Sequence, residues 1–338
     1  MKVIVCEEIG RLTFRHDLEE PVLKSGNAIV HIRRIGICGT DYHAFLGNQP
    51  FFHYPRILGH ELAGVIEEIG ENDFGLRPGD QVSIVPYMHC GRCIACRNGK
   101  TNCCQNMRVL GVHIDGGMRE RICIPVEQLI NTNSMTLDQS VILEPLAVGA
   151  HAIRRCGVTA DSTVLVIGAG PIGLGVMALA KFAGARVFAM DVNEERLAFC
   201  KSWAKVEDTL NAMQTPKEKL AEMTNGDLAP VIIDATGNAK SMMNTFDMVS
   251  HGGLITYVGL VNGDISFHDP DFHSREITLM GSRNATREDF DLVIQAVSTG
   301  YIKPSGYLTH RASFEGMIEE FHTWLQPASG VIKAVVEL

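Results

Sequence analysis

The sequence has no excess of positive charge and no long apolar run. Its 338 residues include 30 Lys and Arg against 39 Asp and Glu, a net charge of −9, whereas nucleic acid and anionic membranes attract basic surfaces. No apolar run approaches the roughly 20 residues of a membrane helix, and the start MKVIVCEEIG lacks the apolar core of a secretory signal. We therefore expect a cytoplasmic protein with no nucleic-acid partner and no membrane partner.

Low-complexity segments and internal repeats are also absent. The hydrophobic content of 46% is that of an ordinary globular protein, and the length allows two domains with large cores. Residues 1–150 contain short β-branched runs broken by Gly, Pro and Asn, which indicates a β-rich domain. From Asp161 onward, apolar strands alternate with helical segments, as in a parallel sheet covered on both faces. The expected fold class is α/β, with a helix near Glu144–Arg155 joining the domains.

Ten cysteines are present, although a chain of this size does not resemble a small disulfide-stapled domain. Four of them follow the spacing C-x2-C-x2-C-x7-C in a polar loop: Cys90, Cys93, Cys96 and Cys104. Four thiolates at this spacing can enclose one tetrahedral Zn²⁺ and leave no coordination position open. Chance clustering of thiols is the alternative, and Cys103 beside Cys104 leaves the fourth ligand open. The quartet predicts a structural zinc.

A glycine-rich turn, GAGPIG, follows the apolar strand VLVI and precedes a helical segment. Gly168 permits a tight turn, Gly170 lets the backbone approach a pyrophosphate, and Gly173 allows close packing of helix on strand. Pro171 suits the first helical turn, whose free N–H groups attract phosphate. The pattern predicts a dinucleotide-binding site.

Asp191 closes the next apolar strand, about 20 residues after this turn. An acidic side chain there would bind the adenosine ribose hydroxyls, and it would repel a 2′-phosphate, which favours NAD over NADP. A helix cap or a surface turn is the alternative role for Asp191. Arg196 is a candidate to cover the adenine ring, or else a solvated residue of the helix surface.

Four further residues are candidate ligands of a second, reactive zinc: Cys38 in GICGTDYH, His60 and Glu61 in GHE, and Glu144 in LEPLAVGAHA. A reactive zinc has fewer protein ligands than a structural one, because water or substrate occupies the open position. Alone, each residue has an ordinary explanation as a buried thiol, a core histidine or a capping carboxylate. Their spacing in the sequence does not bring them together.

These motifs together resemble the zinc-dependent medium-chain alcohol and polyol dehydrogenases over essentially the whole chain. The matching stretches are GICGTD, GHE-x2-G-x5-G at 59–70, the cysteine quartet, EP at 144–145, GAGPIG and the acidic strand end. The resemblance implies a GroES-like catalytic domain at 1–149, completed by 286–338, and a Rossmann doubly wound parallel-sheet domain at 150–285. It also implies NAD, two zinc ions per chain, a small-molecule alcohol substrate and a homo-oligomer, a dimer or a tetramer.

The roles of residues in that family carry over to matching positions of this chain. By resemblance, Cys38 and His60 bind the reactive zinc, and Glu61 or Glu144 provides a further ligand, directly or through the bound water. Polyol dehydrogenases use the first of these carboxylates and other members use the second, so that the choice stays open. Asp41 matches the carboxylate that orients the zinc-bound histidine.

The resemblance also implies a route for the substrate proton. Zinc lowers the pKa of the bound alcohol, and the proton leaves through Thr40 and His43, or through water held by Glu144. The alkoxide then passes hydride to C4 of the nicotinamide. Further cofactor contacts are expected from the family pattern at Ile172, Val258, Gly259, Leu260, Ser282 and Arg283.

A finer resemblance suggests the substrate. HAFLGNQPFFHYPRILGHE, VLGVHIDGG and DPDFHSREITLMGSRNATREDF resemble the dehydrogenases of L-galactonate, which oxidise this aldonate to the keto-uronate tagaturonate. A sugar acid needs a cation or amide donors for its carboxylate. Arg283 is the expected anchor, with Asn284 and Glu144 as further substrate contacts. Asn284 and Ala44 replace aromatic residues that are common in sorbitol-type enzymes.

Several alternatives stay open at this level. Arg108 and His113 are weaker candidates for substrate contacts, with surface or core roles as the other interpretation. A polyol (sorbitol-like) or L-threonine dehydrogenase with the same chemistry is the main alternative function. Zinc-free quinone and enoyl reductases lack the Cys, GHE and cysteine-quartet set. A dinucleotide-sensing protein that keeps zinc only for stability would have lost a catalytic ligand, and none is missing here.

Overall fold

The chain forms two compact units in a computed structural model that describes residues 1–338, the side chain of Pro327 excepted. The first unit comprises Met1–Glu144 and Lys303–Leu338, and the second comprises Pro145–Ile302. No helix in the described part of the chain is long and apolar enough to span a bilayer.

These boundaries differ from the positions 149/150 and 285/286 expected from the sequence. Residues 286–302 stay with the second unit because their helix is tied to it. The carboxylate of Asp289 accepts a hydrogen bond from Arg154 at 2.7 Å and lies 2.8 Å from Nδ1 of His151. The chain therefore re-enters the first unit only at Lys303.

Strands and helices have the following bounds. The strands are β1 (Val3–Glu8), β2 (Arg11–Arg15), β3 (Asn27–Ile37), β4 (Arg56–Ile57), β5 (Glu61–Ile69), β6 (Gln81–Ile84), β7 (Tyr87–Met88), β8 (Arg108–Val109), β9 (Arg121–Pro125), β10 (Leu129–Asn131), β11 (Thr163–Ile167), β12 (Arg186–Asp191), β13 (Asp208–Asn211), β14 (Ala229–Asp234), β15 (Val249–Tyr257), β16 (Thr278–Gly281), β17 (Leu308–Ser313) and β18 (Lys333–Glu337). The α-helices are α1 (Gly39–Phe45), α2 (Ile94–Arg97), α3 (Leu137–Val141), α4 (Leu143–Cys156), α5 (Pro171–Phe182), α6 (Glu194–Phe199), α7 (Pro216–Met223), α8 (Ala239–Met248), α9 (Asp269–Ser274), α10 (Arg287–Ser298) and α11 (Met317–Trp324).

A seven-stranded sheet organises the first unit, in the order β10-β6-β5-β3-β18-β17 with β9 also paired to β3. β3 carries the Ile- and Val-rich run NAIVHIRRIGI, and most of its apolar side chains are buried, as suits a pleated, enclosed strand. β18 pairs antiparallel with β3 and parallel with β17. Residues from the end of the chain therefore complete this sheet.

A six-stranded parallel sheet organises the second unit, in the order β13-β12-β11-β14-β15-β16. This order reverses between β11 and β14, as in doubly wound nucleotide-binding folds, and the carboxyl ends of the strands form their binding edge. β11 has the unbroken apolar run expected of a strand covered on both faces. The two sheets confirm the expected α/β class, with one β-rich and one doubly wound unit.

Candidate active site and metal centres

Strand pairing brings three predicted zinc ligands together. β3 ends at Ile37, so that Cys38 follows it as the N-cap of α1. β5 begins at Glu61 and runs antiparallel to β3 with Glu61 opposite Gly36, which sets His60 and Glu61 beside Cys38. One donor atom from each of these three side chains lies within 4.8 Å of the other two. Thiolate, imidazole and carboxylate are all ligands of zinc in proteins.

The carboxylate of Glu61 is fully buried and only partly satisfied. Its Oε1 accepts a hydrogen bond from Nζ of Lys333 at 2.5 Å, and Nζ also donates to the carbonyl of Ile37 at 3.1 Å. Its Oε2 is buried without a hydrogen-bonding partner in the described structure. The side chain passes over Gly36, where a Cβ would lie 2.1 Å from Oε2. An unsatisfied buried oxygen is costly, and a metal ion in the donor group would satisfy it.

Asp41 ties together the two segments that carry the donors. Its carboxylate accepts hydrogen bonds from the backbone N–H of Cys38 at 2.8 Å and of Gly59 at 3.4 Å. Its Oδ1 lies 3.8 Å from Nδ1 of His60. Asp41 is buried, and burial raises the pKa of its carboxyl. Because the carboxylate of Asp41 faces Nδ1 of the His60 imidazole, the other ring nitrogen, Nε2, is left to bind a metal.

Negative charge accumulates around the donors. Burial lowers the pKa of His60, but the neighbouring Cys38 and Asp41 raise it by more. Burial also lowers the pKa of Lys333, and the attraction of Glu61 and Cys38 raises it by more. Because a divalent cation would offset the same negative charges, this donor set fits Zn²⁺ on electrostatic grounds as well as by donor type.

Glu144, the other carboxylate left open by the sequence, lies outside the three-donor group among the described residues. It sits in the first turn of α4, is buried, and accepts a hydrogen bond from the hydroxyl of Tyr87. Burial raises the pKa of its carboxyl to about 7. Glu61 therefore belongs to the three-donor group, whereas Glu144 lies outside it but near enough for its charge to act on His60 and Glu61.

Thr40 and His43 lie on α1, directly after Cys38. Side chains three residues apart share a helix face, so that the hydroxyl and the imidazole lie on one side of α1. Thr40 is half-buried and His43 is exposed. No hydrogen bond joins the two side chains in the described structure, and the proton relay stays a prediction.

The cysteine quartet is closed in space. The Sγ atoms of Cys90, Cys93, Cys96 and Cys104 lie within 4.8 Å of one another, and that of Cys93 lies 3.4 Å from that of Cys96 and 3.9 Å from that of Cys104. Zinc–sulfur bonds of roughly 2.3 Å place the sulfur atoms of a tetrahedral site about 3.8 Å apart, so that the quartet fits zinc. Cys103 is exposed and outside this group of described residues, so that Cys104, and not Cys103, completes the cluster of four thiols.

Backbone N–H groups lower the pKa of the Cys90 and Cys93 thiols in this loop, whereas burial raises the pKa of the Cys96 thiol to about 12. The N–H groups of Cys90 and Asn106 donate to Sγ of Cys104 at 3.2 and 3.3 Å. Hydrogen bonds from the backbone of Arg92 and Cys93 lower the pKa of the Cys90 thiol to about 6. Thiolates, and not thiols, are the metal-binding form of cysteine.

The predicted glycine-rich turn joins β11 to α5. Gly168 has a φ of +97°, and a Cβ on Gly173 would lie 1.8 Å from the carbonyl oxygen of Gly168, so that both positions favour glycine. A Cβ on Gly170 would meet open space, with no other atom within 4 Å. Pro171 is the first residue of α5, followed by the half-buried Ile172. The first N–H groups of such a helix have no intrahelical partner and suit a phosphate.

Asp191 ends β12 beside this turn. Its Oδ2 accepts a hydrogen bond from the N–H of Ala169 at 2.6 Å, and its Oδ1 accepts one from the N–H of Asn193 at 2.9 Å. The cap of α6 is Asn193, whose side chain accepts from the N–H of Arg196, so that Asp191 is not the helix cap. An acidic side chain at this strand end is placed to bind ribose hydroxyls.

The remaining predicted cofactor and substrate residues follow the carboxyl ends of two strands in the second unit. Residues 258–260 follow β15 and residues 282–284 follow β16, at the edge of the sheet where ligands bind in this class of fold. Leu260 and Arg283 are exposed. Asn284 has a φ of +54° in the left-handed region, so that the chain turns sharply beside Arg283.

Arg108 and His113 lie in the first unit, outside the three-donor group of described residues. Arg108 lines a cavity of about 360 Å³ beside Cys90. Nδ1 of His113 accepts a hydrogen bond from the N–H of Val109 at 3.1 Å, and its ring stacks on Phe51 with centroids 5.8 Å apart. These contacts favour a structural role for His113.

Three residues next to the candidate ligands have no role assigned from the sequence. Gly36 opens the motif GICGTD without a role of its own, and Tyr87 and Lys333 lie outside every motif. For Lys333 the available signal is a single charge within the otherwise apolar run VIKAVV. A lysine is almost never fully buried unless it is paired. The pairing partner, Glu61, is 272 positions away in the chain.

Comparisons with known proteins agree over the whole chain. Residues 24–134 match the model of the alcohol dehydrogenase GroES-like domain, and residues 171–299 match that of zinc-binding dehydrogenases. L-galactonate-5-dehydrogenase of Escherichia coli (strain K12) is 40% identical over 336 residues, 99% of this chain and 98% of that protein.

Solved structures show the same relationship. An alcohol dehydrogenase from Escherichia coli CFT073, in complex with NADH, has a TM-score of 0.93 at 29% identity and covers 100% of this chain and 99% of its own. A zinc-binding dehydrogenase from Sinorhizobium meliloti 1021, bound to NADP, has a TM-score of 0.92 at 26% identity with the same coverage. The resemblance expected from the motifs is thus confirmed, and this chain is an enzyme of the medium-chain, zinc-type alcohol dehydrogenase family.

Proposed function

We propose that this enzyme oxidises the C5 hydroxyl of L-galactonate to the keto group of tagaturonate, with NAD as the hydride acceptor. The substrate assignment rests on the similarity to L-galactonate-5-dehydrogenase over nearly the full length of both chains. The chemistry rests on the donor group of Cys38, His60 and Glu61 in the first unit and on the glycine-rich turn in the second.

Cys38, His60 and Glu61 would hold the reactive zinc, and the cysteine quartet would hold a second, structural ion. Three protein donors leave one tetrahedral position for a substrate, whereas four thiolates leave none. When bound to the three donors, zinc supplies a Lewis acid that lowers the pKa of a coordinated hydroxyl. The unsatisfied Oε2 of Glu61 supports this assignment.

Three side chains are assigned to proton handling. The hydroxyl of Thr40 and the imidazole of His43 would pass the substrate proton outward along α1 to solvent, because the first is half-buried and the second exposed. The carboxyl of Glu144, with a pKa raised by burial to about 7, can hold or release a proton at neutral pH. Its bond to Tyr87 fixes its position.

Asp191 supports NAD over NADP as the cofactor. Its carboxylate is fixed by the N–H groups of Ala169 and Asn193, so that it cannot turn away from a ligand at the glycine-rich turn. A 2′-phosphate near it would meet a like charge, whereas ribose hydroxyls would donate hydrogen bonds to it. Comparing NAD and NADP in the same assay tests this assignment directly.

Arg283 is the proposed anchor of the substrate carboxylate. It is exposed at the carboxyl end of β16, and a guanidinium can bind a carboxylate through two parallel hydrogen bonds. Neutral polyols lack this group, so that an arginine contact of this kind would favour aldonates. Asn284 beside it would supply an amide to the sugar hydroxyls.

A screen of NAD reduction over aldonates, polyols and L-threonine, with metal analysis of the same preparation, tests the proposal. We expect the highest kcat/KM with L-galactonate and two zinc ions per chain. In the second arm, Arg283→Ala should lower kcat/KM for aldonates far more than for any polyol that is oxidised, while Arg287→Ala serves as the matched control.

Three results would each contradict a different part of the proposed function. Oxidation of sorbitol or L-threonine without oxidation of L-galactonate would overturn the substrate assignment and favour the polyol or threonine enzyme. An equal loss for acids and neutral polyols in Arg283→Ala would mean that Arg283 positions the cofactor. A single zinc per chain without any turnover would contradict the catalytic metal site.

A further inference from the structure

Lys333 is a buried ammonium group with no place in the reaction described above. It is only 2% exposed, and it begins β18, which pairs with the end of β3 through Ala334 opposite Ile37. Its Nζ contacts Oε1 of Glu61 and the carbonyl oxygen of Ile37. A buried lysine therefore links the two segments that carry the candidate zinc donors.

The ion pair with Lys333 makes the two carboxylate oxygens of Glu61 inequivalent. Oε1 is taken up by Lys333, whereas Oε2 is buried without a hydrogen-bonding partner among the described residues. An ion pair of this kind does not need to add stability, because taking both charges out of water costs about as much as their attraction returns. The contact is better explained by what it does to the carboxylate.

A carboxylate can bind a metal ion through one oxygen or through both. Two-oxygen binding by Glu61 would add a donor to those of Cys38 and His60 and would occupy the position that a reactive zinc keeps for its substrate. Because Oε1 is already engaged by an ammonium donor, only Oε2 is left for the metal. The carbonyl of Ile37 fixes the ammonium in turn.

We propose that Lys333 is a positioning residue that restricts Glu61 to one-oxygen ligation of the reactive zinc and so keeps a coordination position open for the substrate. This role rests on the zinc site of the proposed function, and it does not depend on which alcohol is oxidised. Partners outside the inner ligands commonly matter in this way, since they fix the orientation of the ligands themselves.

Cobalt substitution provides a test that does not rely on activity. Co²⁺ is placed in the reactive site while zinc stays in the cysteine quartet. Cobalt reports the coordination number, because four-coordinate Co²⁺ absorbs visible light more strongly than five- or six-coordinate Co²⁺. In Lys333→Met, Glu61 is free to bind through both oxygens, and we expect weaker d–d absorption per bound cobalt than in the wild type. We also expect kcat/KM to fall by about 10–100-fold.

Three further variants make the interpretation specific. Lys333→Arg keeps a cationic donor and should keep the wild-type spectrum, and Lys24→Met removes an exposed lysine of the same unit and should change nothing. The double variant Lys333→Met with Glu61→Gln carries an amide that binds through its single carbonyl oxygen, and it should regain strong absorption. The double variant also removes the buried charge of Glu61, which Lys333→Met leaves unpaired. It can therefore be measured in place of Lys333→Met if that variant does not fold.

The outcomes separate the two proposals. If Lys333→Met binds one cobalt in the reactive site with the wild-type absorption, Lys333 does not control the ligation of Glu61 and the inference is wrong. If Lys333→Met does not fold and the double variant absorbs less than the wild type, the inference is also wrong. If the wild-type protein itself binds metal only in the cysteine quartet, the zinc site of the proposed function is wrong instead.

Discussion

Gly36 shows at the scale of one residue how an absent side chain makes room for a metal ligand. It lies opposite Glu61 in the pairing of β3 with β5. A Cβ on Gly36 would lie 2.1 Å from Oε2 and 2.9 Å from Cβ of Glu61. Contacts as short as these force the carboxylate to move, since close-packed interiors do not absorb an added methyl group.

Gly36→Ala is therefore expected to displace Glu61 from Cys38 and His60. The reactive zinc should be lost, activity should fall by at least about 100-fold, and the structural zinc should remain, so that metal analysis gives one zinc per chain. Gly70→Ala is the control, because nothing lies within 4 Å of its Cβ. Retention of two zinc ions and full activity in Gly36→Ala would show that Glu61 does not need its present position.

The role of Lys333 could not be predicted from the sequence, and the motif GICGTD marks Gly36 without showing that it faces Glu61. A motif reports residues that are close in the chain, such as GHE or the cysteine quartet, whereas Lys333 meets Glu61 across 272 positions. Only the insertion of β18 beside β3 makes that contact. For the same reason, the sequence alone does not distinguish Glu61 from Glu144 as a ligand, and only the fold shows that Glu61 shares the donor group with Cys38 and His60.

At the scale of elements, the loop from Cys90 to Cys104 is a small structure that its thiolates hold in place. It contains only α2 and a 3-10 turn at Thr101–Cys103, and none of the residues of α2 is buried. With so little apolar burial, such a segment needs a metal or a disulfide for stability. The zinc site of this loop can therefore be predicted from the sequence, because its four cysteines lie within one short segment.

Cys96→Ser tests this loop, with Cys103→Ser as the matched control. Loss of one of the four thiolates should release the structural zinc and lower the free energy of unfolding by about 4 kcal/mol or more. Cys103 is exposed and outside the quartet, so that its replacement should leave both the metal content and the melting temperature unchanged. Equal effects of the two substitutions, measured by metal analysis and thermal unfolding, would contradict the assignment of Cys104 as the fourth donor.

α10 is a second element held by a charged contact, and this contact explains why residues 286–302 belong to the second unit. Burial raises the pKa of Asp289, but its hydrogen bonds from His151 and Arg154 lower it by more, to about 2. The folded state therefore binds a proton less readily than the unfolded state. The resulting stabilisation is complete above the ordinary pKa of about 3.9 and disappears as the pH falls toward 2.

Asp289→Asn should accordingly lower the free energy of unfolding by about 2 kcal/mol at pH 7. Denaturant titrations between pH 3 and pH 7 should show a constant difference from the wild type above about pH 5 and a smaller one at pH 3. Glu288→Gln is the control, since the side chain of Glu288 is 74% exposed and its ion pair contributes little. A difference that does not change with pH would mean that hydrogen-bond geometry alone, and not charge, anchors α10.

The whole molecule divides its chemistry between two units, each with its own hydrophobic core. Both donor groups, the trio with Cys38 and the cysteine quartet, lie in the first unit. The glycine-rich turn and Asp191 lie in the second, and the hydrogen bonds that fix them are internal to it. Cofactor binding and metal binding should therefore be separable by experiment.

Removal of the reactive zinc with a chelator should abolish NAD reduction and leave NADH binding intact, as measured by NADH fluorescence, and added zinc should restore turnover. Gly173→Ala provides the reciprocal case. Its Cβ would lie 1.8 Å from the carbonyl oxygen of Gly168, so that this variant should lose NADH binding and keep both zinc ions. A tenfold fall in NADH affinity on zinc removal, about 1.4 kcal/mol, would instead show that metal and cofactor sites are energetically coupled.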